Sequence, residues 1–210
     1  MLPTDVSPLN VDFYNRSALI VARELLGARL VRRLPDGTRV SGKIVETEAY
    51  TGIDDLASHA GRHKRTPRNM PMWKAPGRAY VYKTYGMYWL LNVIAEPEDQ
   101  PAAVLIRAIE PLEGLDVIVR NRPDTKPREW TSGPARLTIA LSINGSFNEA
   151  DITRTESGLW IEAHENVPDT LVRTGPRIGL GKTPEPWLSM GWRWWIGGNL
   201  NVSVGSGKSG

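Results

Sequence analysis

The chain of 210 residues contains no cysteine. That absence removes thiolate metal sites, cysteine nucleophiles and disulfide frameworks together, and it is compatible with a reducing compartment. Histidine is scarce: His59, His63 and His164 make up the full set of three. They fall at no recognised metal-ligand spacing, so the expectation is chemistry without metal or other cofactor. No run approaches the roughly 18 apolar residues of a membrane span; the longest are short, such as Ala102 to Ile106. Met1 to Asn10 carries Asp5 and no basic segment, so no secretory signal is visible and a cytoplasmic protein is expected.

What is present is enough apolar sequence to fold unaided. The length suits one large domain or two small ones and buries most of what an unfolded chain exposes. The net charge of +3 is mildly basic, but Arg62, His63, Lys64, Arg65 and Arg68 sit almost together. Such a cluster is either a solvated basic loop or a contact for phosphates.

The pattern along the chain predicts a mixed α and β domain. Residues 16–26 read as an amphipathic helix with Asn15 as N-cap and Gly27 as stop. Strands are expected at 28–34 and 38–50, joined by the Pro35-Asp36-Gly37 turn. Residues 55–59 suggest one helical turn, 80–95 an extended pair pivoting near Gly86, and 102–109 a strand. Helices are expected at 112–121 and 134–142, the latter started by Gly133-Pro134. Short strands follow at 158–163 and 192–196. The proline-rich stretch 122–129 reads as a loop. The terminal Gly205-Ser206-Gly207-Lys208-Ser209 lacks the first glycine of a phosphate loop and has no following helix, so 205–210 reads as a flexible tail.

Glu46, Glu48 and Tyr50 alternate along the predicted strand and share a face, with Val45, Thr47 and Ala49 on the other. One of these carboxylates can orient or deprotonate water; the alternative is a surface strand with solvated acids. His59 is either a site residue or a structural hydrogen-bonding group. Tyr80, Tyr82, Tyr85 and Tyr88 crowd into nine residues, with Tyr80 and Tyr82 on one face. They are strand core or a grip for flat heterocycles. Gly86 permits a tight turn that projects Tyr85 and Met87 from a hairpin tip, where an apolar wedge would be a liability unless it enters something.

These residues sit inside larger blocks. Ile44 to Tyr50, Ala57-Ser58-His59, Thr66-Pro67-Arg68-Asn69, Tyr80-Val81-Tyr82, Tyr85-Gly86-Met87-Tyr88, Asn92 and Leu105 to Pro111 occur in order. With Gly133 to Leu137, Ala140 to Asn144 and Arg177 to Gly181, they resemble the alkyladenine (3-methyladenine) DNA glycosylase family over roughly residues 8–204. The likeness is loosest at 70–73, 123–130 and the tryptophan-rich segment around Trp187, Trp192, Trp194 and Trp195.

The resemblance implies an α+β fold: a single domain over 1–204 with a curved, mainly antiparallel sheet, flanking helices and a protruding β-hairpin that inserts into DNA. It implies Glu48 as the base that activates water, Arg107 as a residue holding that water, and a main-chain carbonyl near Ile178 completing its cage. Tyr50 and Tyr82 would stack on a flipped base, His59 would pack on or bond its edge, and Asn92 would lie at the pocket floor against guanine's amine. Tyr85 would fill the gap in the duplex with Met87 beside it, and Arg65, Arg68 and Arg136 would contact phosphates. The implied partner is double-stranded DNA carrying damaged purines (3-methyladenine, 7-methylguanine, hypoxanthine, 1,N6-ethenoadenine), bound by a monomer. The implied reaction is base excision that leaves an abasic site, since no lysine stands where a nucleophile is needed. A non-catalytic module that stacks unpaired bases on tyrosines, and an enzyme of free nucleosides, are the rival classes.

Overall fold

The computed structural model describes residues 7–203; the tail expected at 205–210 lies outside the described residues. An eight-stranded sheet runs in the order β3-β4-β5-β2-β1-β6, with β7 and β8 attached beside it. The strands are β1 (Arg29–Arg33), β2 (Arg39–Tyr50), β3 (Ala79–Thr84), β4 (Tyr88–Ala95), β5 (Ala102–Glu113), β6 (Leu159–Glu162), β7 (Val172–Gly175) and β8 (Arg193–Ile196). Every pairing is antiparallel. The mixed α+β architecture with a mainly antiparallel sheet is as expected.

The helices are short: α1 (Val11–Tyr14), α2 (Ala18–Glu24), α3 (Leu115–Asn121) and α4 (Pro134–Ala140). The helix expected at 16–26 is present but shorter, as α2, with the separate turn α1 before it. Asn15 ends α1, and α2 begins at Ser17, whose hydroxyl accepts from the Leu19 N–H. Gly27 does end α2, at φ 88°, where a Cβ would strike the Glu165 carbonyl, so no other residue fits that turn. No helix forms at 55–59, but one turn closes there, the Ser58 N–H donating to the Asp55 carbonyl at 2.9 Å. The Asp55 carboxylate accepts from the backbone N–H of Thr51 and Ala57, offering the backbone an alternative to helix.

All four helices pack on one face of the sheet. Tyr14, Ala18, Val21, Ala22 and Leu25 meet Leu137, Ala140, Leu141, Val117 and Ile118 over the strand residues Val81, Leu91, Val93, Val104 and Ile106. The opposite face of β3, β4 and β5 carries a smaller cluster of Tyr80, Ile94, Ala103, Ala60, Met72 and Trp73. Strand alternation therefore sends Val81 to the helices and Tyr80 to the other side, and that other side holds the site.

Candidate active site

The sheet register sets the floor. Glu48 pairs with Leu105, Leu105 with Asn92 and Asn92 with Tyr80, so these residues form one row across four adjacent strands. At about 4.8 Å per strand the row spans roughly 14 Å. Over the Tyr80 end lies a cavity of about 210 Å³, lined by Tyr50, His59, Tyr80, Tyr82, Asn92 and Ala103, with Arg68 at its edge. A second cavity of about 440 Å³ shares Tyr50, Tyr82 and Gly179 with the first, and adds Tyr85, Arg107, Arg136 and Ile178.

Glu48 is fully buried. Its Oε1 accepts from the Ile178 N–H at 2.7 Å and contacts Arg107 Nη1 at 3.1 Å; its Oε2 accepts from the Tyr50 hydroxyl at 2.9 Å. A carboxylate offers about four acceptor positions; here Oε1 has two contacts and Oε2 one. Burial pushes the Glu48 carboxyl above the usual carboxylate range, against the opposing pull of Arg107, the Ile178 N–H and the Tyr50 hydroxyl. Burial also raises the Tyr50 phenol well above its ordinary value, and the Glu48 charge adds to this. Tyr50 therefore stays a donor.

Arg107 bridges both acids of the strand. Its Nε donates to Glu46 Oε1 at 3.0 Å and its Nη2 to Ser203 Oγ at 3.3 Å. Glu46 also accepts from Arg193 Nη1 at 3.1 Å and from the N–H and hydroxyl of Ser203 at 2.7 and 2.9 Å. Neither acid is solvated, so the surface-strand alternative for Glu46 and Glu48 is excluded.

The smaller cavity is walled largely by aromatic rings. His59 Nδ1 lies 2.8 Å from the Tyr80 hydroxyl, and its ring meets Tyr82 edge-on at 4.6 Å between centroids. His59 is exposed as a residue, yet its Nδ1 is engaged by Tyr80 and its ring packs on Tyr82. That packing, with the Arg68 charge nearby, brings its pKa down to about 4. Burial raises the Tyr82 phenol to about 12. Both rings are thus neutral near pH 7. Arg177 sits behind Tyr50, its guanidinium 4.7 Å from the ring centroid. It is held there by a fully buried bidentate pair with Asp55 at 2.5 and 2.9 Å. One face of Tyr50 is therefore taken.

Comparison with known proteins points to one family. The family described as Methylpurine-DNA glycosylase (MPG) matches residues 12–200. The chain belongs to that family. A provisionally assigned 3-methyladenine DNA glycosylase of Salinibacter ruber is 42% identical over 96% of this chain and 98% of its own length. Its counterpart in Bacillus subtilis is 44% identical over 94% of this chain and 97% of its own. The DNA-3-methyladenine glycosylase of Homo sapiens is 40% identical over 93% of this chain and 68% of the human protein.

In this methylpurine-DNA glycosylase family member, Glu48, Tyr50, His59, Tyr82, Asn92 and Arg107 converge on the two adjoining cavities or on the side chains that line them. Asn92 is buried and donates to the Tyr80 carbonyl at 3.1 Å. Tyr85 and Met87 stand at the tip between β3 and β4, 85% and 64% exposed. The tip turns on Tyr85 and Gly86, both at positive φ, with the Met87 N–H bonded to the Thr84 carbonyl, as in the hairpin turns that favour glycine. Of the arginines, Arg68 lies over Tyr82 and Arg136 lines the second cavity. Arg65 does not join them. It pairs with Asp99 at 2.7 Å and covers the Trp73 ring. At Ile178 the backbone N–H donates to Glu48 Oε1.

Sequence reasoning missed several supporting residues. Tyr80 was visible as an aromatic but not as the partner of His59. Asn69, buried, donates to the carbonyls of His59 and Lys64 and so fixes the loop that carries His59. Arg177, Asp55, Arg193 and Ser203 gave no local signal, because their partners lie far along the chain. Among the described residues, no group of three or more His, Cys, Asp or Glu side chains is placed to hold a metal, and no helix is long and apolar enough to cross a membrane.

Proposed function

We propose that this protein is a monofunctional DNA-3-methyladenine glycosylase of base excision repair. It would flip a damaged purine out of duplex DNA and hydrolyse its N-glycosidic bond with water activated by Glu48. The carrying observation is the alignment of a buried, multiply bonded carboxylate with an aromatic cavity in one row of the sheet.

Extruding a nucleotide costs a few kcal/mol. Tyr85, exposed at the tip beside the second cavity, is suited to fill the vacated stack and offset part of that cost. Arg136 and Arg68, at the cavities' edges, suit the flanking phosphates. The extruded base enters between Tyr50 and the His59–Tyr82 pair. Neutral rings admit a cationic base such as 3-methyladenine without repulsion, and their faces attract it. When the Tyr80 hydroxyl donates to His59 Nδ1, the Nε2–H is free to donate to an acceptor on a base edge. This contact would serve neutral lesions such as hypoxanthine and 1,N6-ethenoadenine, which leave less readily. Asn92 at the floor, with one amide proton beyond its bond to Tyr80, would oppose an exocyclic amine on guanine.

Water bound at Glu48 Oε2 and by a remaining N–H of Arg107 would lose its proton to Glu48. Its oxygen would then bond to the sugar carbon as the base departs with the bonding electrons. The carboxylate charge favours the cationic sugar, an analogy with glycosidase acids. No lysine lines either cavity, which supports a water nucleophile and an abasic product with the strand uncut.

The test uses a duplex with a single hypoxanthine or 1,N6-ethenoadenine, followed by alkali. Cleavage at the lesion by wild type, retained binding by Glu48→Gln, and a loss of excision on the order of 10²–10⁴ in that variant support the reading. Binding without excision by wild type makes the protein a stacking module. Release from free nucleoside but not from duplex makes it a nucleoside hydrolase, and near-normal excision by Glu48→Gln removes Glu48 as the base.

A further inference from the structure

We propose that Glu46, which touches neither cavity, is a positioning residue: it fixes the Arg107 guanidinium beside Glu48 and takes up the charge of Arg193, leaving Glu48 able to accept a proton. This rests on the reading of Glu48 as the base.

Four charged side chains meet at this point of the sheet. Glu46 and Glu48 come from β2, Arg107 from β5 and Arg193 from β8. Their charges cancel in sum. The other titratable groups facing them are Tyr50 on β2, Tyr82 on β3 and the self-neutralising Arg177–Asp55 pair. A buried ionic cluster of this kind is often no more stable than well-packed apolar side chains, so packing alone gives no reason for Glu46.

The geometry gives one. Arg107 has five N–H donors in a rigid fork. Its Nε is spent on Glu46 and its Nη2 on Ser203, and Ser203 is itself held to Glu46 by its N–H and hydroxyl. These contacts leave Nη1 directed at Glu48. Without Glu46, both arginines would face Glu48 as the one remaining acid of the cluster. A carboxylate facing surplus positive charge is a weaker base, and an Arg107 freed at Nε could turn more of its fork onto it. Removing Arg193 does the reverse: Arg107 alone then serves both acids, and Glu48 holds its proton more tightly.

The experiment is a pH profile of single-turnover excision from the hypoxanthine duplex, for wild type, Glu46→Gln, Arg193→Gln and Glu48→Gln. Glu46→Gln is expected to move the acid limb about one pH unit lower and to lower the plateau rate roughly threefold to tenfold. Arg193→Gln is expected to move the limb upward. Opposite shifts in two variants cannot come from general loosening of the fold. If Glu46→Gln does not fold, the direction in Arg193→Gln decides: an unmoved or lowered limb overturns the proposal. A uniform loss of rate with the limb in place in Glu46→Gln also overturns it. If that happens while Glu48→Gln is inactive, only the role of Glu46 falls; if Glu48→Gln is active, the underlying reading of the base falls.

Discussion

Replacing Tyr50 by phenylalanine keeps the ring and removes only the hydroxyl that donates to Glu48 Oε2 at 2.9 Å. Glu48 is fully buried, so bulk solvent does not replace the lost donor. A hydrogen bond to a charged group contributes about 1.5–3 kcal/mol, and the unfolding free energy at neutral pH should fall by that amount. For a chain of this size about 2–4 °C is lost per kcal/mol, so Tm should drop by roughly 3–12 °C. The pH dependence gives the sharper check. The folded Glu48 carboxyl already titrates above its ordinary 4.5, chiefly through burial, and losing the Tyr50 donor raises it further. A carboxyl that binds its proton more tightly folded than unfolded regains stability as pH falls through the folded value toward 4.5. The deficit of Tyr50→Phe should therefore be greatest well above the folded value and shrink as the pH falls through it toward 4.5. Urea denaturation of both proteins at several pH values measures it. The same displacement should carry the acid limb of excision upward, while binding to damaged duplex persists because the stacking face is unchanged. A deficit that stays constant or grows on acidification would refute the bonded geometry from which the base assignment starts.

Tyr85→Ala should leave urea stability within about 0.5 kcal/mol, as for other exposed positions, while excision falls more for a lesion in a well-paired context than for a mispaired one. Equal loss in both contexts would make Tyr85 an ordinary surface ring. His59→Gln should flatten the acid side of the stability curve. The unfolded histidine takes up its proton near 6.5 and the folded one only near 4, so wild type loses stability as pH falls through that window; denaturation at stepped pH shows whether the slope goes with the imidazole. Arg136→Ala should reduce the slope of log K against log salt by about one phosphate's worth, whereas Arg65→Ala, its charge already paired with Asp99, should leave the slope unchanged. Titration of labelled duplex at three salt concentrations separates the two.

Much of the fold was legible where local chemistry decided it. The Pro35-Asp36-Gly37 turn closes on Asp36, whose carboxylate accepts from the Thr38 N–H, and Gly133-Pro134 does start α4. Boundaries slipped where a neighbour competed, as at Ser17, which caps α2 in place of Asn15. β7 was not foreseen. Val172–Gly175 is half-exposed and gains its extended form by pairing with β8, a partner its own four residues do not specify. The site divides in the same way. Spacing put Glu46, Glu48 and Tyr50 on one face, but it could not supply Arg177 for Asp55 across 122 residues or Ser203 for Glu46 across 157. Those contacts turn solvated acids into buried ones.

The irregularity in the sheet ties these contacts to the chemistry. Between Ile44 and Glu46, β2 advances two residues while β5 advances one; between Glu46 and Thr47 the excess passes to β5, which skips Arg107. Before the shift Val40 and Ile44 face the helices. After it Ala49 does, and the Thr47 hydroxyl reaches the Ala22 carbonyl of α2. In a strand without the bulge the parity of Val40 and Ile44 would continue, and Glu46 and Glu48 would point into the apolar core. Burying two unpaired acids there would cost more than the fold could bear. The extra residue at Val45 instead turns both acids to the face away from the helices, and the compensating one at Arg107 delivers a cation between them. Strand bulges beside active sites re-aim side chains. Here a bulge and its compensation separate a sheet that could not fold around its acids from one that holds them paired with Arg107 on the face away from the helices.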